Sequence, residues 1–348
     1  MNEEFLEDML NYFEENSISI NSVIVTRYGQ IVLEQYYDFF DENTSMNIFS
    51  CTKTITSTLI GIAIDHGFID NTSVRVLDFF PDRVIENMNQ WKEELTLYDL
   101  LTMQAGFEWN DNSDAGNSNY NQMIRTDDWV QYVLDQPITI PPGSSFNYNS
   151  GASLLLSAIL QNATGMTSED FAWEYLLTPL GIENFHWRES PQGISIGGNT
   201  AMLRPRDMAR IGYLYLMNGT WDNTVIVSKE WILDASSTHT LVGGGTGYGY
   251  QIWTREGLGS FSARGYAGQY IFVVPKYSLV VVFTATSGWP NTSIEDWIIP
   301  SIEQYGVEST TAQNHDLEYV AIAAVMIAVP TLIIGTIYIQ RKRNLFTA

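Results

Sequence analysis

Short runs of β-branched and aromatic residues mark both ends of the chain. Near the start, residues 22–37 contain two such runs separated by a short turn, which predicts a β-hairpin. Near the end, runs at 248–253, 269–274 and 278–284 are separated by turn residues, so they should pair as antiparallel neighbours. We expect the first hairpin and the last strands to join in one sheet.

The long stretch between these strands has a helical pattern. Residues 49–67 are apolar on most faces after the first turn, and 97–103 and 150–165 are the clearest helices of the middle region. A final helix is predicted over 293–305. The arrangement predicts an α+β fold, with an antiparallel sheet flanked by helices and an inserted helical lobe. A cleft between sheet and lobe is the expected place for a binding site.

The last thirty residues differ in character from the rest. Residues 319–339 carry no charge, and a helix of that length would span about 31 Å, close to one hydrocarbon core. Arg341, Lys342 and Arg343 follow this run, and the positive-inside rule places such a cluster in the cytoplasm. The sequence therefore predicts one C-terminal transmembrane helix.

This interpretation divides the chain into four parts: a main domain (1–308), a polar stalk (309–318), the transmembrane helix (319–339) and a basic tail (340–348). The expected localisation is a single-pass membrane protein with an extracytoplasmic main domain. The first twenty residues, however, are acidic and lack the apolar run of a signal peptide. Either the start of the chain is truncated or misassigned, or the protein is tail-anchored with a cytoplasmic domain. We favour the first alternative.

Composition and charge exclude several classes of protein. Hydrophobic residues make up 45% of the 348 residues, which is enough for a large core and excludes wholesale disorder. The formal net charge of −23 repels phosphate backbones, so no nucleic-acid partner is expected. Cys51 is the single cysteine, so no internal disulfide can form. The four histidines lie in no metal-binding spacing, and neither a metal nor a cofactor is predicted.

Ser50 and Lys53 form the pattern S-x-x-K at the start of the first apolar helix. Residues three apart share one helix face. A serine hydroxyl needs a base to act as a nucleophile, and a lysine in an apolar setting can lose its proton near neutral pH. The backbone N–H of Ser50 would also point outward from the helix start, as an oxyanion requires. The motif alone is equally compatible with an N-capping serine and a surface lysine.

Tyr148, Asn149 and Ser150 form a second pattern, Y-x-N/S, immediately before a predicted helix. A phenol held near Lys53 could relay protons to a leaving group. Taken alone this tripeptide is a weak signal, because a tyrosine in a loop most often serves packing.

Six segments, in this order along the chain, resemble the serine β-lactamase and penicillin-binding-protein superfamily. The likeness is greatest to its class C β-lactamase-related branch, with its esterases and 6-aminohexanoate-dimer hydrolases. The segments are FSCTKTITSTLIGIAID, LYDLLTMQAGFEW, PPGSSFNYNSGASLLLSAIL, LTPLGIENFHW, RPRDMARIGYLYLMNGTW and ARGYAGQYIFVVP. The resemblance implies that Ser50 is the acylated nucleophile, Lys53 the base and Tyr148 the proton relay. Asn149 and Ser150 would complete the second motif.

The third motif of the superfamily, K-T-G or H-x-G on a strand edge, corresponds here to Ala263-Arg264-Gly265. Gly265 is kept, which would let a substrate approach the strand, and the backbone N–H of Tyr266 would be the second oxyanion donor. Ala263 lacks the cation that the family uses to hold a substrate carboxylate, which disfavours β-lactam and peptidoglycan substrates. Arg264 is a candidate substitute for that cation, but neighbouring strand residues should point to opposite faces, and the sequence leaves this question open.

These patterns predict a serine hydrolase that cleaves an ester or amide bond of a small-molecule or peptide-like substrate through an acyl-enzyme. Two alternatives stay open: a surface binding protein on the same fold that has lost catalysis, and a penicillin-binding or D-Ala carboxypeptidase-type activity. Ser195 lies in a G-x-S-x-G pattern, but the strand and helix of a nucleophile elbow are not predicted around it. Cys51 lies on another face of the helix than Ser50, and core packing is its expected role.

Overall fold

The computed structural model describes residues 1–111, 118–288, 290, 293–304 and 343–344. The helices are α1 (Glu3–Glu15), α2 (Thr52–Asp65), α3 (Gln90–Glu94), α4 (Leu97–Leu101), α5 (Asn119–Met123), α6 (Trp129–Asp135), α7 (Ser150–Thr164), α8 (Ser168–Ala172), α9 (Pro205–Leu216), α10 (Lys229–Ala235) and a last helix over 293–304. The strands are β1 (Ile20–Arg27), β2 (Gln30–Tyr36), β3 (Met46–Asn47), β4 (His186–Trp187), β5 (Ala201–Leu203), β6 (Thr220–Trp221), β7 (Thr224–Val225), β8 (Thr240–Gly243), β9 (Thr246–Tyr248), β10 (Trp253–Arg255), β11 (Ser260–Gly265), β12 (Gln269–Val274), β13 (Leu279–Ala285) and β14 (Arg343–Asn344).

Nine of the described strands form one antiparallel sheet, in the order β14-β2-β1-β13-β12-β11-β10-β9-β8. β1 pairs with both β2 and β13, so the first hairpin and the last strands share one sheet, as the sequence predicts. The prediction of one strand over 248–253 is wrong. β9 ends at Tyr248 and β10 begins at Trp253, and Gln251 between them has a left-handed backbone, with φ 59°.

Different helices cover the two faces of the sheet. Helices α2 and α9 pack on one face and α7 packs against α2, and together they form the larger hydrophobic cluster with side chains such as Ile271 of β12. On the other face, α1 and the last helix form a smaller cluster. Leu6, Met9 and Phe13 of α1 are buried there. Their spacing is that of one helix face, so the sequence contained a signal for α1 in a segment whose most obvious feature is its acidity.

Helix α2 crosses the middle of the protein, and its residues 52–63 are all buried. It follows a 3₁₀ turn, Phe49–Cys51, so the helix predicted over 49–67 is confirmed to within two residues at its end. Helix α7 packs against α2 and ends at Thr164, and the left-handed backbone of the next residue, Gly165 (φ 74°), caps it. The starts of α2 and α7, at which the two candidate motifs lie, are brought together.

No helix within the described ranges is long and apolar enough to cross a membrane. The longest regular ones, α7 and α2, have 15 and 14 residues, or about 22 and 21 Å, against a hydrocarbon core of about 30 Å. Their apolar side chains are buried inside the domain. The predictions of a single-pass membrane localisation and of the membrane as a partner through a C-terminal helix are corrected on this finding and are not carried further. Residues 309–342, including the run at 319–339, lie outside the described residues.

Lys92 of α3 is a buried cation, only 1% exposed. Its ammonium group donates to the backbone carbonyls of Glu86 and Leu134, both at 2.8 Å. Burial lowers the pKa of Lys92 to about 8, and the nearby charges of Asp135 and Glu86 only partly oppose this shift.

This pKa shift predicts how stability depends on pH. Between about pH 8 and pH 10.4 the unfolded chain still holds the Lys92 proton while the folded chain has lost it, so this group makes folding more favourable as pH rises. We expect the free energy of unfolding of the wild type, relative to that of Lys92→Met, to be larger at pH 9.5 than at pH 7.5, with both measured by urea denaturation. Lys229→Met, at an exposed position, is the control. An unchanged difference would contradict the prediction.

Candidate active site

Ser50 lies in the 3₁₀ turn that leads directly into α2. The residue before it, Phe49, has a left-handed backbone with φ 46°, which is uncommon for a bulky side chain. Two hydrogen bonds hold this conformation. The N–H of Phe49 donates to the side chain of Asn47 at 2.8 Å, and the N–H of Ile48 donates to the carbonyl of Ala201 at 3.0 Å. The position of Ser50 is therefore set by the turn before it and not only by the helix after it.

Lys53 has its ammonium group in the interior, and the residue is 1% exposed. Three oxygens surround Nζ: the carbonyl of Gly198 at 2.8 Å, Oγ of Ser150 at 3.0 Å and Oγ of Ser50 at 3.5 Å. A side chain on Gly198 would bring its Cβ within 3.3 Å of Nζ and 3.2 Å of Ser150, so the close approach depends on glycine. The surface-lysine interpretation of the first motif is thus wrong.

Aromatic side chains form one wall of the site. The ring of Tyr148 lies under the Lys53 ammonium group, with 4.8 Å from Nζ to the ring centroid. The ring of Trp253 stacks on that of Tyr148 with 6.0 Å between the ring centroids. The ring of Tyr248 lies edge-on to that of Tyr148, with 6.5 Å between the centroids. Burial raises the pKa of Tyr248 well above its ordinary value, with further effects from Tyr148 and Asp111, so Tyr248 stays protonated.

The other two residues of the second motif have different positions. Asn149 caps α7, because its side-chain oxygen accepts from the N–H of Ala152 at 3.0 Å. Ser150 instead points at Lys53, as described above. The structure thus brings Ser50, Lys53, Tyr148 and Ser150 together, whereas the side chain of Asn149 is occupied by its own helix.

Sequence reasoning missed Asp111, which lies beside Ser150. Its Oδ2 accepts from Oγ of Ser150 at 2.6 Å, and both its oxygens are 3.2 Å from the N–H of Ser150. The indole N–H of Trp109 donates to Oδ1 at 2.7 Å. The available signal was an acidic residue two positions after the GFEW segment, but nothing local indicated which helix it would meet.

Gly265, at the end of β11, lies against the turn that carries Ser50. A Cβ at this position would be 2.4 Å from the carbonyl of Ile48 and 3.3 Å from Cβ of Phe49. Tyr266 follows, 70% exposed, with its ring edge-on to Phe49 at 5.6 Å. The backbone of residues 265–266 therefore runs next to Ser50, which is the placement an oxyanion donor at Tyr266 needs.

Arg264 lies on the opposite face of the sheet from Ser50. Ala263 pairs with Ile271 in the cluster that contains Cys51, whereas Arg264 pairs with Tyr270 in the cluster on the other face. Its guanidinium group donates to Ser262 at 2.9 Å and lies 5.4 Å from the ring centroid of Trp253. By the strand register Arg264 lies on the other face of the sheet from Ala263, although its guanidinium group contacts Trp253, a residue of the aromatic wall.

The competing candidates have structural roles. Ser195 is fully buried, and its hydroxyl accepts from the N–H of Glu169 at 3.2 Å, with no nucleophile elbow around it. Cys51 is buried, donates to the carbonyl of Gln269 at 3.3 Å, and burial raises the pKa of its thiol. Among the described residues no group of His, Cys, Asp or Glu could hold a metal ion.

Comparisons with known proteins concern the family and the fold of the chain. The Beta-lactamase family model matches residues 13–298. A 6-aminohexanoate-dimer hydrolase from Paenarthrobacter ureafaciens is 23% identical over 314 residues, covering 84% of this chain and 78% of the relative. Two solved structures share the fold. One is a penicillin-binding protein homologue from Pyrococcus abyssi (TM-score 0.68, 18% identity, 86% and 76% of the two chains). The other is a family VIII carboxylesterase (TM-score 0.67, 16% identity, 84% and 96%).

The contact at Gly265 leads to a prediction about Ser50. In Gly265→Ala the new methyl group must displace the carbonyl of Ile48, and with it the turn before Ser50. Because a misplacement of about 1 Å can cost on the order of 10²-fold in rate, we expect labelling of Ser50 by a fluorophosphonate to slow by roughly 10- to 100-fold. Gly257→Ala is the control, since a Cβ there meets nothing within 4 Å. Equal labelling rates in the two variants would rule out this role of Gly265.

Proposed function

Since the chain belongs to the Beta-lactamase family, we propose that it is a serine hydrolase that cleaves an ester or amide bond through an acyl-enzyme on Ser50. The observation that carries the proposal is the position of Lys53, whose Nζ lies 3.5 Å from Oγ of Ser50 inside the protein. The similar proteins include hydrolases, which supports the reaction class, and this contact supports Ser50 as the nucleophile and Lys53 as its base.

In the proposed acylation step, Oγ of Ser50 attacks the substrate carbonyl carbon. The O–H bond of Ser50 breaks as the O–C bond forms, and the proton passes to Nζ of Lys53. The backbone N–H groups of Ser50 and Tyr266 would stabilise the oxyanion. When the intermediate collapses, the leaving group receives a proton through Tyr148, whose ring contacts Lys53. Water then attacks the acyl carbon and gives one proton to Lys53. The bond between that carbon and Oγ of Ser50 breaks, the carboxylic acid is released, and the proton taken from water passes to Oγ of Ser50.

We further propose that uncharged esters or amides are the preferred substrates. Ala263 provides no cation beside Ser50, and Arg264 lies on the other face of the sheet. The side chains around Tyr148 are largely aromatic, with Phe146, Tyr248 and Trp253 in contact with one another. Such a wall suits an apolar acyl or leaving group, whereas a carboxylate would lose its hydration without gaining a partner. Two similar proteins are named a 6-aminohexanoate-dimer hydrolase and a carboxylesterase, which supports hydrolysis without deciding between the two bonds.

The first test maps the nucleophile and its partners. We expect a fluorophosphonate adduct on Ser50, found by mass spectrometry of the digested protein. Lys53→Ala and Tyr148→Phe should each lower turnover of a para-nitrophenyl ester on the order of 10³-fold or more. The double variant should be about as slow as the slower single variant, because the three groups act as one unit. Lys229→Ala, at an exposed site, is the control.

An adduct on Ser195, or none on folded wild-type protein, would contradict the assignment of Ser50. The second result would instead favour a binding protein that keeps the fold without catalysis. A double variant slowed by the product of the two single effects would show that Lys53 and Tyr148 do not act together.

The second test concerns substrate charge. We compare para-nitrophenyl pentanoate with the para-nitrophenyl monoester of glutaric acid, which has a similar chain length and adds a carboxylate. Each 1.4 kcal/mol of binding free energy that an unpaired carboxylate loses lowers kcat/KM about tenfold. We therefore expect kcat/KM to be at least about 10²-fold lower for the charged ester. A chromogenic cephalosporin should be a similarly poor substrate. Efficient turnover of both acids would contradict the proposal and favour a penicillin-binding type of activity.

A further inference from the structure

Ser150 lies between two groups of opposite character, and both contacts are short. On one side its Oγ is 3.0 Å from Nζ of Lys53, and on the other it is 2.6 Å from Oδ2 of Asp111. We propose that Asp111 is a positioning residue for Lys53, acting through Ser150 by fixing the direction of the single hydroxyl hydrogen. This inference rests on the proposed function of Ser50 and Lys53.

The hydrogens of Ser150 can be counted. A serine hydroxyl has one hydrogen to donate, and an ionised carboxylate can only accept. A hydroxyl–carboxylate distance of 2.6 Å is that of a charge-assisted hydrogen bond, so the hydrogen points at Asp111. Oγ of Ser150 is then left with lone pairs only, and towards Lys53 it can act only as an acceptor.

The same count applied to Lys53 sets its orientation. When neutral, its amine has two hydrogens and one lone pair. The carbonyl of Gly198 and Oγ of Ser150 accept the two hydrogens, at 2.8 and 3.0 Å. The remaining direction, with the lone pair, then faces Ser50 at 3.5 Å, which is the geometry in which Lys53 takes the Ser50 proton. Once Lys53 has that proton, each of its three N–H groups has an acceptor.

Without Asp111, a second arrangement of the hydrogen bonds around Lys53 becomes available. The Ser150 hydroxyl could turn and donate into the Lys53 lone pair, which would then be unavailable to Ser50. The carboxylate also lies one hydrogen bond away from the ammonium group that forms during acylation, so it stabilises the charged product of the proton transfer.

Asp111 is itself held in a fixed orientation. Trp109 donates to it at 2.7 Å, and the N–H of Ser150, in the first turn of α7, approaches both its oxygens. The Trp109 ring in turn packs against Gly151, where a Cβ would lie 2.7 Å from the ring. An asparagine at position 111 would present an amide N–H₂ to one of these donors, so the substitution removes the charge and disturbs the hydrogen-bond directions.

The experiment must separate this role from a merely structural cap on α7. Asp111→Asn is made in the wild type and in a Ser150→Ala background, with Glu108→Gln, an exposed acid of the same segment, as control. In the wild-type background we expect Asp111→Asn to lower kcat for a para-nitrophenyl ester, and the rate of fluorophosphonate labelling at Ser50, by roughly 10- to 100-fold, with KM within about twofold. In the Ser150→Ala background the same substitution should change either rate by less than about twofold, because the hydroxyl through which Asp111 acts is gone.

The inference is overturned if Asp111→Asn slows labelling equally in both backgrounds, or not at all, while the wild type is labelled at Ser50. Trp109→Phe provides a second route should Asp111→Asn fail to fold. It removes one donor to Asp111 and should slow labelling several-fold, again only when Ser150 is present. Failure of the proposed function is a distinct result, in which neither the wild type nor Glu108→Gln is labelled at Ser50.

Discussion

The burial of the Lys53 ammonium group is the constraint on which the rest of the site depends. A buried donor without an acceptor is costly, and a charged one more so. Lys53 meets this requirement with three oxygens from three parts of the chain: its own helix start, the first residue of α7, and the loop at Gly198. Helices α2 and α7 and this loop must therefore keep their relative positions to within a few tenths of an ångström.

Glycines make this approach possible. A Cβ on Gly197 would lie 2.2 Å from the carbonyl of Ser153, so the loop contacts the backbone of α7 directly. Thr56 adds a further link between α2 and the loop, because its hydroxyl donates to the carbonyl of Gly197 at 2.8 Å. The G-x-S-x-G pattern at 193–197 thus leads into a structural contact with the site, although its serine is not the nucleophile.

The buried amide of Gln251 joins the sheet to the helical lobe. Its side chain donates to the carbonyls of Leu100 and Leu101 and accepts from the hydroxyl of Ser153. Its own carbonyl accepts from Thr54 of α2 at 3.0 Å. The turn between β9 and β10 therefore ties α2, α4 and α7 together. This is the physical reason why the predicted strand over 248–253 is interrupted there.

The sequence by itself determined the features that depend on local geometry. Alternating and apolar runs predicted the sheet and α2, and a spacing of three residues on a helix placed Ser50 and Lys53 on one face. Only the tertiary structure decided which groups surround that pair. Asp111 meets Ser150 from 39 positions away, and the carbonyl of Gly198 meets Lys53 from 145. Strand alternation predicted that Arg264 points to the other face of the sheet from Ala263, and the pairing of Arg264 with Tyr270 places it there. Hydrogen-bond partners so distant in the chain are selected by packing, which leaves no mark in the local pattern of residues.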